Sequence, residues 1–200
     1  MERNNEMKKY LKKIVGEKVY LSPISIDDFE EYAEMANDIN VSVGLGSIAY
    51  TSIIDFESEK EFLLSIKKSK NFAVRLLEND ELLGNVGFNL EDSINRAGVI
   101  GVMLGNPKHQ RKGYGTEAVN LLLDYGFSFL NFRNISLNVF EYNEAAYNLY
   151  KKIGFKEAGR LRKAAEIMGK TYDVIIMDML KEEFQSVYIK RELEKRYNLK

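Results

Sequence analysis

The chain has no cysteine, no tryptophan, one histidine and two prolines among its 200 residues, and its charges nearly cancel, 29 Lys+Arg against 30 Asp+Glu. Without cysteine there is no disulfide, no thiolate nucleophile and no cysteine-based zinc site. A single histidine argues against a histidine-metal cluster and leaves only His109 as the base of a serine-histidine triad. A net charge of −1 supplies no global field toward nucleic acid or an anionic membrane, so any basic site must be local. No apolar run approaches the roughly 20 residues of a membrane helix. The longest, Leu121 to Leu130, is interrupted by Asp124, Gly126 and Ser128. The first residues, Met1 to Lys9, are polar and lead into no signal-like stretch. These absences point to a soluble cytoplasmic protein with no metal, no nucleic acid and no membrane among its partners.

What is present suits one globular domain. Apolar residues make up 45% of the chain and charged residues 30%, enough for a real core and too ordered a mixture for a disordered segment. Residues 1–17 form a charged lead ending at Gly16. Val19-Tyr20-Leu21 reads as a strand stopped by Pro23, and Ser25 or Asp27 can cap an acidic helix over Asp28 to Asn37. Residues 40–54 read as a loop, with Gly44 and Gly46. Phe62, Leu63 and Ile66 place a helix over Ser58 to Lys68.

From Phe72 the hydrophobic period changes to two. Strands at 72–77, 82–90 and 97–104, separated by polar turns, predict an antiparallel meander. A long helix follows from Gly113 to about Phe129, then a strand at 135–140, a helix from Glu144 to Ile153 closed by Gly154, and two strands from Phe155 onward and from Thr171 to Leu180. The order β-α-α, meander, α-β-α-β-β predicts an α/β fold, with a mixed, partly antiparallel sheet flanked by helices, in a single domain over 1–180. Residues 181–200 are a charged helical extension with Phe184, Val187, Tyr188 and Arg191 along one face, serving as a thin intramolecular contact or a dimer contact.

The segment Gly105 to Thr116 carries the chemistry. It follows an apolar strand and opens the long helix. Gly113 and Gly115 permit a tight turn, the helix N-terminus presents free amides, and Lys108, Arg111 and Lys112 add positive charge. Together these describe a pyrophosphate cradle. It is not a Walker A loop, because Lys112 precedes its glycine, and not a dinucleotide fingerprint, because position 118 is Ala.

Gln110-Arg111-Lys112-Gly113-Tyr114-Gly115 resembles the Q/R-x-x-G-x-G/A acyl-coenzyme A loop of the GCN5-related N-acetyltransferases. Asn143 to Phe155 resembles that family's N-x-x-A-x-x-x-Y-x-x-x-G-F helix, and the element order over about residues 18–180 fits its acyl-CoA N-acyltransferase fold. The subgroup it is most similar to contains ribosomal-protein N-terminal and polyamine acetyltransferases. The resemblance implies acetyl-CoA as co-substrate and no metal. It implies that the amides of Val102, Met103 and Leu104 hold the pantetheine arm and thioester oxygen, and that Gln110, Arg111, Lys112, Gly113, Tyr114, Gly115 and Thr116 wrap the pyrophosphate. Asn143 would bind the pantetheine portion, and Tyr150 would donate to the departing sulfur. A phenol titrates at about 10 and a thiol at about 8.5, so the phenol is the protonated partner at neutrality.

No carboxylate stands on the last meander strand, so no general base is assigned; Glu91 and Asp92 in the preceding turn are candidates for the substrate mouth. His109 reads as a phosphate neighbour or a surface residue. Tyr50 and Phe56 could shape an acceptor pocket, and the acids around Glu30 to Glu34 and Asp55 to Glu59 could attract a cation or simply be solvated. The expected activity is direct acetyl transfer to a primary amine (a protein N-terminus, a polyamine or another small amine) by a monomer or homodimer. The alternative is a non-catalytic acyl-CoA-binding module.

Overall fold

The computed structural model describes residues 10–105, 107–109 and 111–198. These residues form one eight-stranded sheet in the order β1-β2-β3-β4-β5-β6-β8-β7. The strands are β1 Ile14–Val15, β2 Val19–Pro23, β3 Asn71–Leu76, β4 Leu82–Asp92, β5 Ala97–Leu104, β6 Asn134–Phe140, β7 Lys156–Ile167 and β8 Lys170–Leu180. The helices are α1 Phe29–Asn37, α2 Ile39–Leu45, α3 Ser47–Thr51, α4 Phe56–Ile66, α5 Tyr114–Ser128, α6 Glu144–Ile153 and α7 Ile189–Tyr197. Among the described residues no helix is long and apolar enough to cross a membrane.

The local signals act as their chemistry dictates. Asp55 and Ser58 form a reciprocal capping box at the start of α4, and Asn143 caps α6, accepting the Ala146 N–H at 3.1 Å. Gly154 ends α6 at φ 117, where a side chain would be strained. The apolar face of α5, with Ala118, Val119, Leu121 and Leu122 fully buried, lies on a sheet face built from Val19, Leu21, Phe72, Val74 and Val86.

The stretch 40–54, expected to be a loop, forms α2 and α3 instead. Asp38 caps α2 by accepting the Asn40 N–H at 2.8 Å, and Gly46, at φ 105, makes the turn between the two helices. A Cβ on Gly46 would come within 2.6 Å of the Phe140 ring, so the helix pair is moulded onto β6. Tyr142 adds a second tie by donating to the Val43 carbonyl at 2.9 Å.

The C-terminal stretch also differs from one continuous helix. Phe184 and Tyr188 pack against the core ahead of α7, while Val187 is exposed. The reason is Asp124, fully buried in the middle of α5. Its carboxylate accepts the N–H groups of Tyr188 at 3.0 Å and Ile189 at 2.8 Å, which fixes where α7 can begin.

Every sheet neighbour is antiparallel except β5 and β6, which run parallel and pair only over Ala97–Val99 with Asn134–Ser136. Beyond those three pairs the strands part. β5 stays paired to β4 as far as Leu104, and β6 stays paired to β8 as far as Phe140.

Candidate active site

The parting of β5 from β6 opens a cleft of about 900 Å³. Its walls are β5 from Val99 to Leu104, β6 from Asn138 to Phe140, the start of α5 and one face of α6. The remaining side is α2, through Asn40, Val41, Gly44 and Leu45. A second cavity of about 450 Å³ lies between the end of α5 and the C-terminal segment, away from these elements.

The direction of the β5 backbone follows from two hydrogen bonds. Gly105 N–H is spent on Leu83 C=O of β4 at 3.0 Å, and Arg96 C=O accepts Arg133 N–H on the β6 side. Backbone groups alternate sides along a strand, so Val102 and Leu104 face the cleft, past the point where β6 could pair with them. Met103, expected to contribute an amide alongside them, instead turns its backbone to β4, opposite Asn85.

The loop before α5 is shaped for an anion. Arg111 sits at φ 60 and Gly113, the N-cap, at φ 87; no side chain caps the helix. The first-turn N–H groups of Tyr114, Gly115 and Thr116 have no intrahelical acceptor. The one acid of that turn, Glu117, points away, and its Oε1 accepts the N–H groups of Glu17 and, at 2.9 Å, Lys18. Lys18 in turn donates to the Lys112 carbonyl at 3.2 Å. Arg111 and Lys112 are exposed, Arg111 on the cleft wall. Gln110 lies outside the described residues. A Cβ on Gly115 would stand 3.2 Å from Leu104 and from Leu149, so the helix start is pressed against both β5 and α6.

α6 brings two polar groups to the same cleft. Asn143 spends its Oδ1 on the cap, while its Nδ2 lies where a Cβ on Gly44 would be 3.1 Å away. Seven residues later, about 10 Å along the helix, Tyr150 packs its ring edge-on to Phe155 at 5.8 Å. Among the described residues its hydroxyl has no hydrogen-bond partner, and burial pushes its pKa up to about 12. A neutral phenol with nothing to donate to thus lines a cleft with an unpaired strand edge.

The polar lining that the motifs did not announce is Asn40, Asn89 and Asn138. Asn89 is the extra residue of a β4 bulge, and a Cβ on Gly101 would collide with its side-chain amide, so that glycine makes room for it. The ionisable groups of the wall are His109, Arg111, Tyr114, Tyr150 and Lys152, with no carboxylate among the described residues. No cluster of histidine, aspartate and glutamate suited to a metal occurs among them either.

Glu91 and Asp92 are not at the mouth. They pair with Gly98 and Ala97, the end of the hairpin away from Val102, where Glu91 meets Lys70 at 2.5 Å and Asp92 caps its own turn. Tyr50 and Phe56 also stand outside the cleft. Tyr50 ties α3 to β7 through the Glu166 carbonyl at 2.8 Å, and Phe56 lies edge-on to Phe29 at 5.6 Å. Of the acids near them, Glu59 is buried and Asp55 serves its helix cap.

Residues 18–156 match the family model of the acetyltransferase (GNAT) domain. The uncharacterized N-acetyltransferase p20 of Bacillus licheniformis is 29% identical over 171 residues, 84% of this chain and 96% of that protein. The spermidine N(1)-acetyltransferase of Escherichia coli (strain K12) is 28% identical over 135 residues, 68% of this chain and 66% of that one. Among solved structures, a GNAT-family acetyltransferase from Bacillus anthracis superposes with a TM-score of 0.74 at 25% identity, covering 85% of this chain and 99% of that one. The spermidine N-acetyltransferase of Vibrio cholerae, in complex with CoA and spermine, does so with 0.74 at 26% identity, covering 82% and 96%.

Proposed function

The chain belongs to the GNAT acetyltransferase family and moves an acetyl group from acetyl-CoA to an amine; from that premise we propose how its residues divide the work. The observation that carries the reading is the unpaired β5 edge and the unpartnered Tyr150 hydroxyl in one cleft. Val102 and Leu104 receive the pantetheine arm as an added strand, and their amides are the donors for an oxyanion at the thioester carbon. Gly113 to Thr116 hold the pyrophosphate through backbone N–H groups, with Arg111 and Lys112 beside them; Gln110 belongs to the same motif in the sequence. The Asn143 amide, whose oxygen is already committed to the cap, offers its nitrogen to the pantetheine.

Catalysis is alignment plus electrostatics. The neutral amine forms the C–N bond, the C–S bond breaks, and Tyr150 hydrogen-bonds the emerging thiolate until solvent reprotonates it. The proton shed by the amine leaves through water, since no carboxylate lines the wall among the described residues. No acyl-enzyme is formed, in keeping with a chain without cysteine.

For the acceptor, the amide side chains of Asn40, Asn89 and Asn138 favour a primary amine flanked by neutral hydrogen-bonding groups, such as a peptide N-terminus. A polyamine is the second reading, supported by the spermidine acetyltransferases among the relatives. Thiol release from acetyl-CoA over N-terminal peptides, spermidine and an aminoglycoside separates them. A peptide kcat/KM at least about tenfold above that of spermidine supports the first reading, the reverse supports the second, and no release with any amine defeats both. The reading keeps a cytoplasmic monomer or homodimer, with the acetyltransferase domain in residues 1–180 and residues 181–200 as its extension.

A further inference from the structure

Resting on the acetyl-CoA reading, we infer that Glu117 and Lys18 are positioning residues for the coenzyme's pyrophosphate: together they lock the peptide that carries the Gly113 N–H. Neither belongs to the 110–116 segment that holds the phosphates in that reading. Glu117 stands in the first turn of α5 and is buried. A carboxylate there ordinarily stabilises its own helix N-terminus, and aimed that way it would repel a bound phosphate. Here it is turned to the bend between β1 and β2 instead. Its Oε1 accepts the N–H of Glu17, that of Lys18 at 2.9 Å and that of Val19 at 3.4 Å. The fit depends on Gly16, where a Cβ would collide with that same oxygen.

The bend so fixed delivers Lys18 to the phosphate loop. Its Nζ donates to the Lys112 carbonyl at 3.2 Å and would lie 3.8 Å from a Cβ on Gly113. A trans peptide is planar, so its C=O and N–H point in opposite directions. Holding the Lys112 carbonyl therefore turns the Gly113 N–H away from Lys18, and Gly113 stands on the cleft wall. That peptide needs holding. Arg111 at φ 60 and Gly113 at φ 87 lie on either side of Lys112 in the left-handed region, which a non-glycine residue such as Arg111 adopts only at a cost. A loop kept in this shape before the coenzyme arrives spends no binding energy on being ordered. Glu117 thus acts at the far end of a short relay, through the bend and Lys18, on the amide that meets the phosphates.

Two ligands separate this role from general damage. Coenzyme A carries the pyrophosphate, whereas S-acetylpantetheine carries the thioester and arm without it. Lys18→Met, at an exposed position, should raise the coenzyme A dissociation constant about three- to tenfold by calorimetry, with kcat/KM for S-acetylpantetheine at a fixed acceptor within about twofold of wild type. Lys18→Arg, which keeps a cationic donor, should restore binding. Glu117→Gln gives the test a sign. Removing a negative charge near the phosphates would by electrostatics alone tighten coenzyme binding, whereas a loosened bend weakens it, and a loss of at least about threefold is expected. Gly16→Ala changes no charge and should produce a similar loss by pushing the carboxylate off the bend; it decides the matter if Glu117→Gln does not fold. Coenzyme affinities within twofold of wild type in Lys18→Met and Gly16→Ala, or tighter binding by Glu117→Gln, would overturn the inference while leaving the acetyl-CoA reading intact. Equal losses on both ligands would overturn it as well, by reducing the pair to upkeep of the fold. A wild-type protein that fails to bind coenzyme A would overturn both.

Discussion

Asp124 and Ile189 are 65 residues apart, yet the carboxylate of the first accepts the backbone N–H of the second at 2.8 Å. The same carboxylate takes the N–H of Tyr188 and the hydroxyl of Ser128, each at 3.0 Å. A helix start is therefore capped by a side chain from another helix, deep enough that water cannot replace it. Asp124→Ala should lower stability by about 3 kcal/mol, because it strands buried donors as well as losing a cap. Asp124→Asn should cost less. Urea unfolding measures both, and limited proteolysis should show earlier cutting within 184–198. A loss below about 0.5 kcal/mol would mean that the carboxylate does not hold the segment.

Gly113→Val should raise the acetyl-CoA dissociation constant at least about tenfold, or 1.4 kcal/mol. Space is not the obstacle, since a Cβ would meet nothing nearer than Lys18 Nζ at 3.8 Å. The obstacle is φ 87, which a β-branched residue resists, so the amides that follow would turn off the phosphates. Calorimetry on the folded variant checks it, and an unchanged constant would remove the loop from the binding site.

Tyr150→Phe should slow acetyl transfer by about 10²- to 10⁴-fold with little change in cofactor affinity. Among the described residues the hydroxyl has no partner, so no hydrogen bond seen there is lost with it, and Phe retains the contact with Phe155. Single-turnover transfer with a good acceptor is the measurement that counts. A rate within about threefold of wild type would leave Tyr150 a packing residue.

The pH profile separates two protons. The acceptor arrives as an ammonium and must discharge, so its kcat/KM should rise between about pH 6 and 9. Burial moves the Tyr150 phenol up to about 12, so the donor stays protonated across that range and adds no falling limb. A decline setting in below about pH 10 would point to a different proton donor.

Gly46→Ala should weaken acceptor binding more than cofactor binding. Its Cβ would enter the Phe140 ring at φ 105, displacing α2 from the wall that carries Asn40 and Val41. A rise of about threefold or more in acceptor KM, with cofactor affinity held within twofold, is the expected split.

Much of this site was legible because its parts are local. The 111–116 loop and the Asn143–Tyr150 helix are each set by contiguous residues, and seven-residue spacing alone places Asn143 and Tyr150 on one helix face. Tertiary relationships were not legible. Gly44 and Gly46 look like loop residues until Asp38 caps α2 and Phe140 receives Gly46. Val102, Met103 and Leu104 look equivalent until strand register assigns their amides to opposite sides. His109 gave no sign of Glu81, 28 positions away. An aspartate within the apolar run of α5 needs a partner, and Asp124 finds it in the backbone of Tyr188 and Ile189.

A sheet normally keeps its unpaired backbone at its borders, but here β5 presents one in the interior, where β6 leaves it after three residue pairs. Such a border is a template for any extended chain, including another copy's strand. In the proposed function the pantetheine arm lies along β5 and would act as a ninth strand. Ligand at a hundred times its dissociation constant adds about 2.7 kcal/mol to the folded state by mass action. Acetyl-CoA supply would then govern how long the enzyme survives as well as how fast it works, and a starved cell would hold a pool more prone to aggregation and proteolysis.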